Sequence, residues 1–430
     1  VPGNNIKDGQ FLVLPVWHEG WEEATPMPAA PSGVGVKDGG WLAADEWAGV
    51  IYAGKGNKTG DFYSYEPFTD SWLILASIPP GREGRLPQKG ARGVADGAGM
   101  VYAAKGNNTF GFWRYRRVED RWEQLADIPP GRSGKAVKGG GDMVYLGRND
   151  TGFVVLLKGY DNDFLRYNTR SGMWSTLPEA PVGRWKKGSW LVYDGANTIY
   201  AHRANSEEMW VFDFNTEQWS STSLPGIPRP STKTGKSKKS KEGSAGVYYD
   251  GGIYALKGGN TGEFWCYWIA DARWVELDTI PQMGSTGKKK RVKAGGDIAH
   301  LGGGVFFALK GNKTLEMWRY LQPVMSGVAL ATRQGVSGMA SAGKGAHSMP
   351  TLLNPLMLDR VLAEAVRQTG SKIVKVWLLD ITGRVMAQKT VVYSGCRLGT
   401  QVFRLAPGLY YCRLETEDGG VEVKKMVVVR

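Results

Sequence analysis

The chain repeats one unit, and the last copy lacks a piece that the opposite end of the chain supplies. The first copy reads Lys55-Gly56-Asn57-Lys58-Thr59, then the aromatic run Phe62-Tyr63-Ser64-Tyr65, then Trp72. Later copies place Lys105-Gly106 before Tyr115 and Trp122, Lys158-Gly159 before Tyr167 and Trp174, and Lys257-Gly258 before Tyr267 and Trp274. A degenerate fourth copy uses His202-Arg203, Phe212 and Trp219. The sixth, Lys310-Gly311 with Trp318 and Tyr320, has no Trp after it. Where the Trp is present a proline follows at a fixed distance, at Pro79, Pro129, Pro181 and Pro281, with Pro228 delayed by a two-residue insertion. Trp21 and Pro28 repeat that spacing. The N-terminal stretch is therefore expected to be the outer strand of the sixth unit, beside Tyr320, so that a ring closes with no free sheet edge.

A period of about 50 residues with a strand-strand-strand-Trp-strand content is the mark of a four-stranded propeller blade. The 60 Gly, 17 Trp and 18 Tyr suit many short strands joined by tight turns. The fold class expected is all-β: a six-bladed β-propeller closed by an N-terminal strand. The third strands, such as Phe62-Tyr63-x-Tyr65 and Phe264-Trp265-x-Tyr267, are bulky on both faces. A strand packed between two blades requires that, so these aromatic rows read as core and not as a stacking surface for sugars or bases.

The connections between blades concentrate positive charge. They hold Arg82, Arg85, Lys89 and Arg92; Arg132, Lys135 and Lys138; Arg184, Lys186 and Lys187; Arg229, Lys233, Lys236, Lys238, Lys239 and Lys241; and Lys288, Lys289, Lys290, Arg291 and Lys293. Against Glu83 and Glu242 these outweigh the net +13 of the whole chain, so the remainder is net acidic. Connections and second-to-third-strand turns of a propeller leave on one side of the ring, which predicts that Lys55, Lys58, Lys105, Lys158, Lys257, Lys310 and Lys313 join the same basic rim. Such a face attracts an acidic protein surface, anionic polysaccharide or lipopolysaccharide, or it is a solvated lysine fringe. Nucleic acid fits least, because no recognition helix or aromatic-basic motif accompanies the charge.

These units resemble kelch repeats, in which a Gly-Gly turn ends the second strand and a Tyr and a Trp are spaced across the third and fourth. Here the turn is mostly Lys-Gly, with Gly258-Gly259 the nearest match, so the resemblance lies in the architecture and the Tyr-to-Trp spacing. It covers residues 17–322. Residues 1–16 form an N-terminal extension with the apolar run Phe11-Leu12-Val13-Leu14, and 323–350 are a Gly/Ala/Ser-rich linker. A start at Val1 instead of a methionine fits removal of a secretion signal, and equally a truncated start.

Residues 351–430 read as a small β-sandwich, with Leu358–Arg367 helical by propensity but placed as a strand. Asn354-Pro355, Asp380-Ile381-Thr382-Gly383-Arg384-Val385, Pro407-Gly408-Leu409-Tyr410 and the closing Lys424-Lys425-Met426-Val427-Val428-Val429-Arg430 resemble the C-terminal sorting domain of type IX secretion cargo. That resemblance implies the type IX export machinery as a partner, with secretion from a Gram-negative bacterium or display on its outer surface. Cys396 and Cys412 share this domain, which allows a disulfide between them in an oxidising compartment.

Catalytic chemistry finds no foothold. His18, His202, His300 and His347 lack ligand spacing, no nucleophile or nucleotide motif is present, and no cofactor or metal is expected. The pairs Glu22-Glu23 and Glu207-Glu208 read as solvent-facing, and no apolar run is long enough to span a membrane as a helix. Two non-enzymatic functions follow. One is a structural subunit of an extracellular filament or surface layer, built through propeller, N-terminal and C-terminal contacts by self-association. The other is an adhesin or glycan-binding module that uses the basic face.

Overall fold

A computed structural model describes residues 18–45, 48–67, 69–148, 151–302 and 304–322, together with the strands at 373–380, 385–392, 408–416 and 421–428. Among these residues every regular element is a strand. Trp21–Tyr320 is one compact unit. It contains six antiparallel sheets, in which strands pair with their neighbours in the chain except at the ring closure and in the split outer strand of the fourth blade. The first blade runs Trp41–Asp45, Val50–Gly54, Phe62–Glu66 and Ser71–Leu75. The inner strands of adjacent blades neighbour one another all the way around.

The sixth sheet consists of Asp297–His300, Val305–Leu309 and Met317–Leu321, and its outermost strand is Gly20–Ala24 from the other end of the chain. The Trp21 ring lies 5.0 Å from Tyr320. In the other blades the same pair is fixed by hairpin register, with Tyr65 across from Trp72, Tyr115 from Trp122, Tyr167 from Trp174 and Tyr267 from Trp274. The fourth blade absorbs its insertion by splitting the outer strand. Gln218–Trp219 and Leu224–Pro225 both pair with Glu208–Asp213, out of step with each other by the two inserted residues.

Blades adhere through aromatic edges. Phe62 meets Tyr115 at 4.8 Å and Trp122 at 4.9 Å, Phe112 meets Tyr167 and Trp174 at 5.0 and 4.9 Å, and Phe264 meets Tyr320 and Trp21 at 5.0 and 5.1 Å. Each such pair adds about 0.5–1.5 kcal/mol beyond burial. Every outer-strand indole also donates to a backbone carbonyl of the preceding blade: Trp72 to Thr25, Trp122 to Ala76, Trp174 to Ala126, Trp219 to Pro178, Trp274 to Pro225 and Trp21 to Asp278. The fixed Trp spacing in the sequence therefore marks a set of inter-blade bonds that goes once around the ring.

A second circuit runs at the inner end of the connections. The chain enters each inner strand through a glycine with positive φ, where an added Cβ would overlap the backbone of the next blade. At Gly188 the Cβ would lie 2.0 Å from the Lys241 carbonyl oxygen, and at Gly39 it would lie 2.1 Å from that of Gln88. Both the conformation and the close approach demand glycine here.

The four described C-terminal strands form one antiparallel sheet of their own, ordered 385–392, 373–380, 408–416, 421–428, with Trp377 across from Gln388 and Cys412 from Lys424. Residues 1–17, the linker 323–350, Leu358–Arg367 and Cys396 lie outside the described residues, and with them the N-terminal extension and the Cys396–Cys412 pairing.

Candidate anion-binding face

Connections and second-to-third-strand turns lie together. In every blade a turn residue with positive φ donates its backbone N–H to the following connection: Lys58 to Pro87, Asn108 to Val137, Tyr160 to Trp185, Asn205 to Ser240, Asn260 to Val292 and Lys313 to Val36. The lysine that opens most of these turns does not join the rim, contrary to the expectation from its position. Lys55, Lys105, Lys158, Lys257 and Lys310 are all fully buried. Lys55 pairs with Asp61 at 2.7 Å, Lys158 with Asp163 at 3.2 Å, Lys257 with Glu263 at 2.6 Å and Lys310 with Glu316 at 2.5 Å. Lys105 has Glu83 at 4.0 Å and donates to the carbonyls of Pro80 and Arg85.

The reason for this burial is geometric. The lysine ends an interior strand; for Lys55, Lys158, Lys257 and Lys310 the ammonium reaches under the turn to a carboxylate just before the third strand, and Lys55, Lys105, Lys158 and Lys257 also donate to carbonyls of the connection before the blade. Burial lowers the proton affinity of Lys310 against the pull of Glu316. Burial likewise opposes the charge of Glu316, but the bonds from Lys310 and Thr286 win and hold its carboxyl below the usual range. In the fourth blade His202 takes the lysine's place. It is buried, lowered to about 3 by desolvation, and bonded through Nε2 to Ser240 Oγ at 2.8 Å.

Arg92, which the sequence places among the connection charges, instead starts an inner strand and fills the centre of the ring. Its guanidinium bonds Asp142 at 2.9 Å and Asp297 at 3.0 Å. Those carboxylates also accept from the backbone N–H groups of Leu191 and Leu42. One cluster thus ties five of the six blades. Burial raises Asp142 to about 6 despite Arg92. His300, on the same inner strand as Asp297, is buried against Tyr249 at 4.2 Å and lowered to about 3. The glutamates read as solvent-facing are tied down as well: Glu22 pairs with Arg319, Glu208 with Arg203 and Glu207 with Arg229, and Glu23 accepts from Ser285.

The remaining basic residues divide by partner. Arg132 pairs with Glu179 and Lys135 with Asp161, both at 2.7 Å, and Lys233 pairs with Asp278 at 2.8 Å. Arg85 donates to the carbonyls of Asn107 and Asn108 and so braces a turn. Arg291 donates to Gln282. Arg82, Arg184, Lys236, Lys239, Lys288 and Lys289 are exposed, and Lys238 and Lys290 are half-buried. None of these eight forms an ion pair among the described residues.

Lys186 and Lys187 converge with Lys241 and Lys293 on a cleft of about 380 Å³ that spans blades three to five. Its floor comes from the turns carrying Tyr160, Asn205 and Asn260, and Glu242 is its one acid. Glu242 is shared, 3.9 Å from both Lys187 and Lys293, while Lys187 also reaches Asp38 at 3.1 Å. Charge counting in the sequence found Lys186 and Lys187 but gave Tyr160 no role. Its only signal was an aromatic in a turn position that Asn or Lys fills in the other blades. Among the described residues no group of His, Cys, Asp or Glu converges as a metal site, and no helix is long and apolar enough to cross a membrane.

Among curated proteins the chain is 29% identical over 221 residues to the Kelch-like protein terF of Aspergillus terreus, a stretch that is 48% of this chain and 36% of that protein. The propeller is kelch-like. The chain spans about a third of that relative's length, and no family model matches it. Among solved structures it is similar to YjhT, at 14% identity and TM-score 0.47, covering 69% of this chain and 95% of that one. It is also similar to an auxiliary nutrient binding protein from Bacteroides thetaiotaomicron, at 12% identity and TM-score 0.47, covering 71% of this chain and 77% of that one. The six-sheet ring rests on this chain's own strand pairing.

Proposed function

We propose that this kelch-like propeller is a non-catalytic interaction protein that holds an anionic polymer on its connection-bearing face, outside the cell or at the outer surface of a Gram-negative bacterium. One observation carries the reading. Once the ion pairs of the face are formed, cations without an ion-pair partner among the described residues remain in the Lys236–Lys239 and Lys288–Lys290 loops and at Lys186 and Lys241 in the cleft, where Lys187 and Lys293 share the single Glu242. Unpaired charge on one face steers polyanions and loses its effect as salt screens it. Secretion and surface display follow from the sorting-domain resemblance of residues 351–430. The test is binding of polygalacturonate at 50 and 300 mM salt, with and without neutralisation of Lys288, Lys289, Lys290 and Arg291. Tight binding at low salt that weakens at least tenfold in the neutralised protein supports the reading; salt-independent or absent binding refutes it.

A second reading, assembly into an extracellular filament or layer, draws on a different observation. The outer strand of the first blade exposes Leu73 (62%) and Ile74 (46%), whereas the residues after the outer-strand Trp are Glu123-Gln124, Ser175-Thr176, Ser220-Ser221 and Glu22-Glu23 in four other blades and Val275-Glu276 in the fifth, where Val275 is half-buried. An apolar edge strand is a template for strand addition from another chain. Sedimentation of Leu73→Glu/Ile74→Lys against the parent protein tests it: a shift to monomer supports assembly, and no shift opposes it.

A further inference from the structure

We propose that the cleft across blades three, four and five is a site for an acidic sugar residue, its ring lying on Tyr160 and its carboxylate among Lys186, Lys241 and Lys293. The inference rests on the anionic-partner reading of this face and gives that partner a chemical class. Four features of the cleft carry it.

The first is Tyr160 itself. It is 42% exposed and has φ +63, a conformation that costs a side chain other than Gly, Asn or Asp about 1 kcal/mol or more. The hydrogen-bonding equivalents are Asn108, Asn205 and Asn260, which tolerate that conformation, and Lys58 and Lys313. Lys58 and Lys313 accept the same strain with flexible chains, but at Tyr160 a rigid ring is held there with 42% of it left open to the cleft, an apolar face of the kind a sugar ring can lie against. The second is charge. Lys138 stands 5.6 Å from the Tyr160 ring centroid, and Lys186, Lys187, Lys241 and Lys293 line the same cleft, with Glu242 and, for Lys187, Asp38 as the acids within reach.

The third is the kind of polar group present. The side-chain amides of Asn205 and Asn260 have no partner among the described residues, and neither has that of their equivalent Asn108; what sets the first two apart is that they line the same cleft as Tyr160. Unspent amides beside an aromatic ring are suited to hydroxyl groups. The cations are all lysines, whereas phosphopeptide recognition relies on the bidentate fork of arginine. A nucleic-acid track would need several stacking platforms in a row, and Tyr160 is the one aromatic lining the cleft. The fourth is size. A volume of about 380 Å³ is at the lower end of small-molecule sites, which run from roughly 300 to 1,000 Å³, and suits one or two sugar rings.

The test is calorimetric titration of the full chain at low salt with D-glucuronate, D-glucose and sodium sulfate, repeated on Tyr160→Asn. Asn occupies the equivalent turns, so this variant is expected to fold with an unchanged or higher melting temperature. Saturable glucuronate binding, at least tenfold weaker glucose and sulfate binding, and a tenfold loss in Tyr160→Asn are expected. Sulfate binding as tight as glucuronate, or indifference to Tyr160→Asn, would overturn the inference. Polygalacturonate separates the two sources of the ligand: competition with glucuronate supports a residue within a chain, and saturable glucuronate binding without competition supports the free sugar. Polygalacturonate binding that depends on Lys288–Arg291 while glucuronate fails to bind overturns the cleft site and leaves the anionic face standing. Failure of both ligands removes both.

Discussion

Two sets of lysines belong to the same face of this propeller and have opposite fates. Lys55, Lys158, Lys257 and Lys310 are buried against a carboxylate in their own blade, whereas Lys186, Lys241 and Lys293 reach solvent around a cleft. The first set holds the second-to-third-strand turn to the preceding connection, and neutralising one strands a buried acid. In the second set the one ion pair among the described residues is the long contact of Lys293 with Glu242, at 3.9 Å, on a half-open surface. Net charge counts both sets alike, so it overstates the binding face and hides a structural device.

The largest expected effect comes from breaking a buried pair. Lys310→Met leaves Glu316 uncompensated and is expected to cost about 3–5 kcal/mol in a denaturant titration. Adding Glu316→Leu should recover most of that loss, because the pair's own net worth is small. If the single variant unfolds no earlier than the parent protein, the buried lysines are not structural.

The central cluster gives an intermediate effect with a definite sign. Asp142 is raised to about 6, above the value near 3.9 of an unfolded chain, so protonation favours the folded state. Its contribution is full below about pH 4 and is lost as pH rises through 6, by up to about 3 kcal/mol. Stability should therefore rise between pH 7.5 and 5, and the rise should shrink in Asp142→Asn, read by thermal melts of both proteins. Below about pH 4 the depressed carboxyls of Asp61 and Glu316 act oppositely, since their bonds are lost as they protonate. Smallest of all, Lys241→Ala/Lys293→Ala should leave stability within about 0.5 kcal/mol of the parent protein. A larger drop would place the cleft lysines with the buried set.

The ring was legible because its signals are local and repeated. Trp72, Trp122, Trp174 and Trp274 face a tyrosine across a hairpin, and the missing partner of Tyr320 led to Trp21. The buried lysines have a sequence signal as well, an acid six residues after Lys55, Lys257 and Lys310, but the expectation of a basic rim rests on position alone and does not use it. Arg92, Asp142 and Asp297 could not be joined from sequence. They meet only because three inner strands converge on an axis, and no spacing encodes that. Tyr160 was hidden for a related reason, since its cleft is made by turns and connections from three blades.

The central claim is that the solvent-reaching lysines bind while the buried ones hold the fold. The direct measurement is a polygalacturonate binding isotherm at low salt for the parent protein and for Lys241→Ala/Lys293→Ala, with a melting curve on each sample. The account predicts at least tenfold weaker binding at an unchanged melting temperature. Unchanged binding, or weaker binding that merely follows a fall in melting temperature, would contradict it.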